Sequence, residues 1–315
     1  MFTGSAPGAG KSSLSRFLAE QLTLHGIETD WLYEEDVFTF EPIHRFAAQT
    51  FGGDLRAADS FLEGTRLAMD QWRDTDIVRI TDSFLPGFYW LLHLYPKNKV
   101  EALMIDVWRL VKPLQPLLVY CQADVWAAHR RAVAQRGERW DEAVTRFVSG
   151  WITPQYPTRL KDLDDVLSFF SWLDERSLEI LSGWPGEVLL LDTSHSSAEA
   201  AQALLLDHLG VQRLEPASPI PAPDLHEYAG RYDEISNPED GEHVEVRISN
   251  GRLFATLYWP SGSTLVWQES DLFRLESTSR MVEFNRNEFG SICGLEYRFW
   301  NGSQQYSRRP KSGRV

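Results

Sequence analysis

Cysteine is scarce in this chain, with two in 315 residues. Cys121 and Cys293 lie far apart, and Cys121 sits in the apolar run LLVYCQA. This excludes a disulfide framework or a paired thiolate metal site and points to a reducing, cytoplasmic setting. Long apolar runs are also missing: none reaches the roughly 18 residues that a membrane-spanning helix requires. No basic-then-apolar leader precedes the first glycine-rich segment, so the expectation is a protein neither exported nor inserted in a membrane. Positive charge is in deficit, with 31 Lys and Arg against 45 Asp and Glu and a net charge of −14. Such a balance argues against broad, salt-dependent binding to nucleic-acid phosphates. Most of the excess acidity precedes Pro223, where 20 basic residues face 31 acidic ones, and it serves solubility in the first instance. Internal repeats and low-complexity tracts are absent.

What is present first is an alternation of short apolar runs and helical patterns. Met1-Phe2-Thr3, IETDWLY, DIVRIT (Asp76 to Thr81), LLVYC (Leu117 to Cys121) and EVLLLD (Glu187 to Asp192) read as five strands. After the first, Leu14, Phe17, Leu18, Gln21 and Leu22 recur on one helical face and Gly26 marks a stop. Strands alternating with helices predict a mainly parallel α/β sheet covered on both faces, which is why its strands are apolar throughout. The pattern changes after Gly210. Pro216, Pro219, Pro221 and Pro223 predict an extended linker over 214–223, dividing a domain at 1–213 from one at 224–310. Beyond the linker the period is two: Val244, Val246 and Ile248 alternate, Asn250-Gly251 supplies a turn, and Leu253, Ala255, Leu257 and Trp259 alternate on the return. With further strands at STLVWQ, DLFRLE, MVEFNR and GLEYRFW, the C-terminal domain is expected to be a small antiparallel β-barrel.

The segment SAPGAGKSS joins the first strand to the first helix. Glycines in a tight loop before a helix let several backbone N–H groups converge on one concavity, where the helix dipole favours phosphate oxygens. In the GxxxxGK[ST] pattern the loop of Ser5, Gly8, Ala9 and Gly10 would cradle the phosphates, with Lys11 reaching the outer ones. Ser12 would ligate Mg²⁺ beside Ser13. The spacing departs by one step, since Ser5 stands where the pattern has glycine and Gly4 lies one residue earlier.

In the order of these signals, residues 1 to 213 resemble the P-loop nucleoside and nucleotide kinases, especially the thymidylate-kinase-like and deoxynucleoside-kinase-like members. SAPGAGKSS is similar to their phosphate loop, EEDVF to their acidic acceptor-site turn, and ITDSF stands in the place of their Asp-Arg or Glu-Arg-Ser motif. DVWAAHRRAVAQRGERWDE is similar to their arginine-bearing helix and lid, and LLLDTSHSSAEAAQAL to their last strand and helix, near the adenine. The resemblance implies an ATP- and Mg²⁺-dependent phosphotransferase. Ser83 follows Asp82 where the family has arginine, which makes a neutral hydroxyl a better acceptor than a monophosphate, because arginine is the usual partner of phosphate.

Candidate catalytic groups follow. Glu34, Glu35 and Asp36 end the second strand, where open α/β sheets place ligands, and alternation sets Glu34 and Asp36 on one side as candidate bases. An acidic, solvated turn is the alternative. Asp82 ends the third strand as an Mg²⁺ aspartate, a base or a helix cap. Arg130, Arg131, Arg136 and Arg139 are candidate lid arginines, with Arg130 and Arg136 favoured for the transferred group and Arg139 for the nucleotide. The competing reading is a solvated helix paired with Glu138, Asp141 and Glu142. Trp31, Tyr33, Phe38, Phe40, Trp72, Phe84, Phe88, Tyr89 and Trp90 are core first and an acceptor sandwich second.

Beyond the linker, YAGRY and the NGRL hairpin resemble a small lipocalin-like barrel appended to serine β-lactamase-related hydrolases, although no SxxK or GxSxG accompanies it. Such a module could cover the acceptor site, bind a ligand or support a homodimer. The functional expectation is an ATP-dependent kinase for a small-molecule acceptor hydroxyl on a nucleoside, sugar or natural product, with no nucleic-acid or membrane partner. A regulatory P-loop NTPase and a non-catalytic ligand-binding protein are the alternatives.

Overall fold

The structure is a computed structural model, and it describes residues 1–4, 6–34, 41–73, 76–83, 87–136, 140–215, 223–235, 243–249, 251–257, 263–276, 280–299 and 302–309. They divide into two units, Met1–Glu215 and Pro216–Val315. Of the expected proline linker, residues 216–222 lie outside the described residues.

In the first unit the apolar runs form parallel strands: β1 (Phe2–Thr3), β2 (Thr29–Leu32), β3 (Val78–Thr81), β4 (Leu117–Gln122) and β5 (Glu187–Asp192). One ladder runs β1-β4-β5 and another β2-β3, and a parallel bridge from Phe2 to Asp82 joins them. The order is therefore β2-β3-β1-β4-β5. β1 has only two residues, yet it lies between the two halves of the sheet. A chain that leaves the central strand and later returns to its other side creates a crevice at the strands' carboxyl ends, where α/β proteins bind ligands. β2 is shorter than the run IETDWLY suggested.

Helix α1 (Lys11–Leu24) buries the expected stripe of Leu14, Phe17, Leu18, Gln21 and Leu22. Gln21 belongs there because its amide exchanges two hydrogen bonds with the Leu214 backbone, at 3.0 and 2.8 Å. The remaining α-helices among the described residues are α2 (Glu41–Phe51), α3 (Ala57–Trp72), α4 (Lys97–Val111), α5 (Val125–Arg136), α6 (Trp140–Ser149), α7 (Leu163–Leu181) and α8 (Ala198–Leu209). Gly87–His93 is a 3₁₀ helix. The two sheet faces differ in cover. Trp31 donates to Ser15 of α1, whereas Tyr120 donates to Asp174 of α7, and the register sets Trp31 and Ile80 on the face opposite Thr81 and Leu32. Among the described residues no helix is long and apolar enough to cross a membrane.

The second unit is a closed barrel of eight strands: β6 (Gly230–Glu234), β7 (His243–Ser249), β8 (Arg252–Ala255), β9 (Ser263–Glu269), β10 (Leu272–Leu275), β11 (Met281–Arg286), β12 (Ile292–Phe299) and β13 (Gly302–Arg308). Each strand is antiparallel to its neighbours in the chain, and β13 closes on β6. The alternation predicted for the hairpin holds, with Val244, Val246, Leu253 and Ala255 buried. β8 stops at Ala255, before the expected Leu257, and Trp259 lies outside the described residues. The inward positions carry large side chains, among them Tyr232, Phe273, Phe284, Leu295 and Tyr306, so these residues form the barrel's own packed core. Arg286 fastens the segment before β6 to the barrel through Asp271 and Glu227, both at 2.8 Å. A fragment starting at Ala222 should therefore express as a soluble chain with one cooperative thermal transition by circular dichroism. A soluble fragment with no cooperative melting would overturn this independence.

Candidate functional site

The loop between β1 and α1 is shaped by contacts that a side chain at two of its glycines would prevent. Gly8 has φ of +83°, and a Cβ there would stand 2.1 Å from the carbonyl oxygen of Ala128 on α5. Gly4, with the early position in the motif, would carry its Cβ 2.6 Å from the Cys121 carbonyl oxygen. The motif's one-step departure thus coincides with a close approach of the loop to β4. Ser5 lies outside the described residues.

Gly10, at φ of 91°, caps α1 without any side-chain hydrogen bond, and no acidic residue occupies the helix's first turn. The first amides of a helix have no carbonyl partner within it. Those of Lys11, Ser12 and Ser13 therefore face the loop's mouth with the positive end of the helix dipole behind them. Ser12 is half-buried and Ser13 exposed. Ala9 is buried, and its carbonyl accepts a hydrogen bond of 2.9 Å from the Thr193 hydroxyl just past β5, which also donates to Gln122 at 3.1 Å. Thr193 thus ties the loop to the ends of β4 and β5.

Two cations converge on the loop. Lys11 is 9% exposed, and its ammonium lies 3.4 Å from the Ala6 carbonyl oxygen. Arg131 on α5 donates through Nε to the Gly8 carbonyl at 3.1 Å, while its Nη2 is buried with no hydrogen-bond partner among the described residues. Arg130, one residue earlier and a favoured candidate in the sequence, is exposed. Arg136 ends α5, with only its backbone described, and Arg139 lies outside the described residues. His129 joins α5 to α6 through Asp141 at 2.7 Å.

Asp82 is fully buried at the end of β3. Its amide donates to Leu32, the next amide donates to Phe2, and the Ser83 hydroxyl donates to its Oδ1 at 3.2 Å. Ser83 has φ of +64°, a left-handed conformation costing a non-glycine residue about 1 kcal/mol. That turn stops β3 at the carboxylate. Burial pushes the Cys121 thiol up to about 12; the Lys11 charge opposes that shift and the Asp82 charge adds to it, so the ammonium and the carboxylate share one neighbourhood above β4. Burial also drives the Tyr89 phenol well above its ordinary range, with Glu34 the leading charged contributor and Asp82 a weaker one. Glu34 is half-buried past the end of β2, and Glu35 and Asp36 lie outside the described residues.

Of the sequence-derived set, Asp82 thus comes to share the neighbourhood of Lys11 and the start of α1, while Glu34 stands past the end of β2, nearer Tyr89. Arg131 joins as the loop's arginine and Thr193 as its tie to β4 and β5. Of the aromatic candidates, Tyr33, Trp72 and Tyr89 are buried, Trp31 and Trp90 half-buried, and Phe38, Phe40 and Phe84 outside the described residues. Of Phe88, only the backbone is described.

No protein-family model matches this chain, and no curated protein matches it. Among solved structures, it is similar to a deoxyadenosine kinase from M. mycoides with bound dATP, at 15% identity over 66% of this chain and 97% of the other, with a TM-score of 0.38. It is also similar to the APS kinase CysC from Mycobacterium tuberculosis in complex with AMPPNP and APS, at 18% identity over 55% and 95%, with a TM-score of 0.31.

Proposed function

We propose that this protein is an ATP-dependent phosphotransferase acting on the hydroxyl of a small, neutral acceptor. The observation that carries the reading is the uncapped start of α1, preceded by the left-handed Gly8 and Gly10 and flanked by Lys11 and Arg131. Backbone donors, a helix dipole and two cations around one concavity suit a polyphosphate chain. Among the described residues no three His, Cys, Asp or Glu side chains gather into a metal site. A divalent ion would thus be held by Ser12 and Asp82 together with phosphate oxygens and water, an oxygen set that suits Mg²⁺. Mg²⁺ would supply charge neutralisation at the outer phosphates.

The residues of the crevice would then divide the work. Loop amides and Lys11 hold the β- and γ-phosphates, and Arg131 turns its free guanidinium edge towards them. Glu34 accepts the proton of the acceptor hydroxyl as that oxygen bonds to the γ-phosphorus, while the bond from phosphorus to the bridging oxygen breaks and ADP leaves with the electron pair. Ser83 in the arginine position and two carboxylates nearby disfavour an acceptor that already carries phosphate.

The test is calorimetric binding of Mg·ATP, followed by a thermal-shift screen of nucleosides, sugars and other alcohols with a non-hydrolysable ATP analogue present and a transfer assay on the hits. A protein that neither binds Mg·ATP nor labels any hit would sink the reading. ATP hydrolysis at a rate unmoved by any alcohol would favour a regulatory NTPase. Within the same assay, Arg131→Ala should weaken Mg·ATP about tenfold, as expected for one lost hydrogen bond between charged groups. Arg130→Ala should change it little. The reverse order would show that Arg130 serves the nucleotide.

A further inference from the structure

Outside its packed core the barrel unit has a cavity of about 530 Å³, a volume within the range of small-molecule sites. Its walls come from the segment before β6, the end of β11 with the turn that follows, and the end of β13. Three guanidiniums line it, those of Arg286, Arg308 and Arg309, and Glu227 is the one carboxylate among its described lining residues. The three arginines are not equivalent. Arg286 is neutralised by Asp271 and Glu227, and its remaining edge donates to the Gly290 carbonyl at 2.6 Å. Arg309 shares Asp233 with Arg231, so one carboxylate serves two cations. Arg308 instead donates to two backbone carbonyls, Ile292 at 3.2 Å and Ala229, with no carboxylate at ion-pair distance among the described residues. Its guanidinium stands 5.8 Å from the centre of the Tyr232 ring, and a Cβ at Gly230 would come within 3.0 Å of its Nε. Carbonyls and a ring thus fix the plane of Arg308 without cancelling its charge. In this group four arginines meet three carboxylates, which leaves one positive charge at a concave surface of a chain whose net charge is −14.

We infer that this cavity binds a small organic oxyanion, a carboxylate or a phosphate monoester, through the remaining donors of Arg308 and Arg309. A guanidinium carries five N–H donors in a flat fork, and two of those on Arg308 meet the carbonyls. The fork matches two oxygens on one centre, which both anions present and a neutral alcohol or amide does not. A concave wall also focuses the field of a charge that no carboxylate offsets. Ile292, which is buried, and Cys293 line the same cavity and give the organic part of the ligand a less polar wall. The inference is independent of the phosphotransferase reading, because every residue it uses belongs to the second unit.

Cys293 supplies a local readout, since its thiol is exposed at the cavity whereas Cys121, the other cysteine, is buried. The full chain is labelled with the uncharged reagent N-ethylmaleimide at constant ionic strength, and modification of Cys293 is timed by mass spectrometry. Benzoate and phenyl phosphate are the two anion probes, and benzyl alcohol is the neutral control. At least one anion should slow the labelling, with half-protection at about 1 mM or below, the affinity that two charge-assisted hydrogen bonds supply. Whichever anion protects at the lower concentration identifies the headgroup. Arg308→Gln should abolish the protection. Arg308→Lys, which keeps the charge and the fold but not the fork, should require about tenfold more anion, the scale of one such bond. Protection should persist in Lys11→Ala, which separates this cavity from the glycine loop. Labelling unmoved by either anion, equal protection by benzyl alcohol, full protection in both Arg308 variants, or its loss in Lys11→Ala would each overturn the inference.

Discussion

Lys11→Ala should lose at least about a hundredfold in affinity for Mg·ATP while AMP binding changes little. The ammonium is nearly buried and rests on the Ala6 carbonyl at 3.4 Å, a long contact that a phosphate oxygen can readily replace. Hydrogen bonds to charged groups contribute about 1.5–3 kcal/mol each, and a lysine between two outer phosphates makes two of them. AMP offers no outer phosphate, so it reports only on the loop amides and the base. The Gly4 approach to Cys121 and the Thr193 bond to Ala9 do not involve the ammonium, so the loop should keep its shape. Isothermal calorimetry with both nucleotides decides the matter. Equal ATP affinities in the two proteins would show that this loop does not work on phosphates.

Asp82→Asn should lower turnover by at least about a hundredfold, and the way the loss divides reports what the carboxylate does. Asp82 shares the neighbourhood of Lys11 above Cys121, whereas Glu34 is the stronger neighbour of Tyr89. The substitution is therefore expected to weaken Mg·ATP as well as slow transfer, and excess Mg²⁺ should restore part of the rate. Glu34→Gln should leave Mg·ATP affinity intact and reduce turnover alone. If Asp82→Asn binds Mg·ATP normally and only turnover falls, the two carboxylates exchange roles. Full activity in both variants would remove the chemistry from the ends of β2 and β3.

Much of this arrangement is legible in the order of the residues. The stripe on α1 can be read because helical period is local, and even Gln21, an odd polar member of it, is buried. The barrel hairpin is visible through strict alternation around Asn250-Gly251. By contrast, β13 carries no such pattern: GSQQYSR offers one buried aromatic, Tyr306, among polar residues, and it pairs as a strand because β12 and β6 are there to receive it. The choice between Arg130 and Arg131 is equally hidden. Neighbouring residues on a helix point about 100° apart, and which one meets the loop depends on how α5 packs. Ala128 and Ala132, one turn apart, lie against Gly8, and that small-residue face is the one local sign that Arg131 flanks the loop. Thr193 carries no signal at all, since a threonine past a strand is ordinary until its hydroxyl is seen to hold Ala9.

By itself the sequence determined the two architectures and the glycine loop before α1, because periodicity, glycine placement and the start of a helix are properties of a few consecutive residues. Only the tertiary structure decided which cation and which carboxylate belong to which side of the crevice. Inserting β1 between β3 and β4 sets Asp82 and Cys121 beside Lys11, although long stretches of chain separate them. Glu34, past the end of β2, stands instead as the leading charged neighbour of Tyr89. That division follows from strand order and the alternation of side chains across a sheet, and no local pattern encodes either.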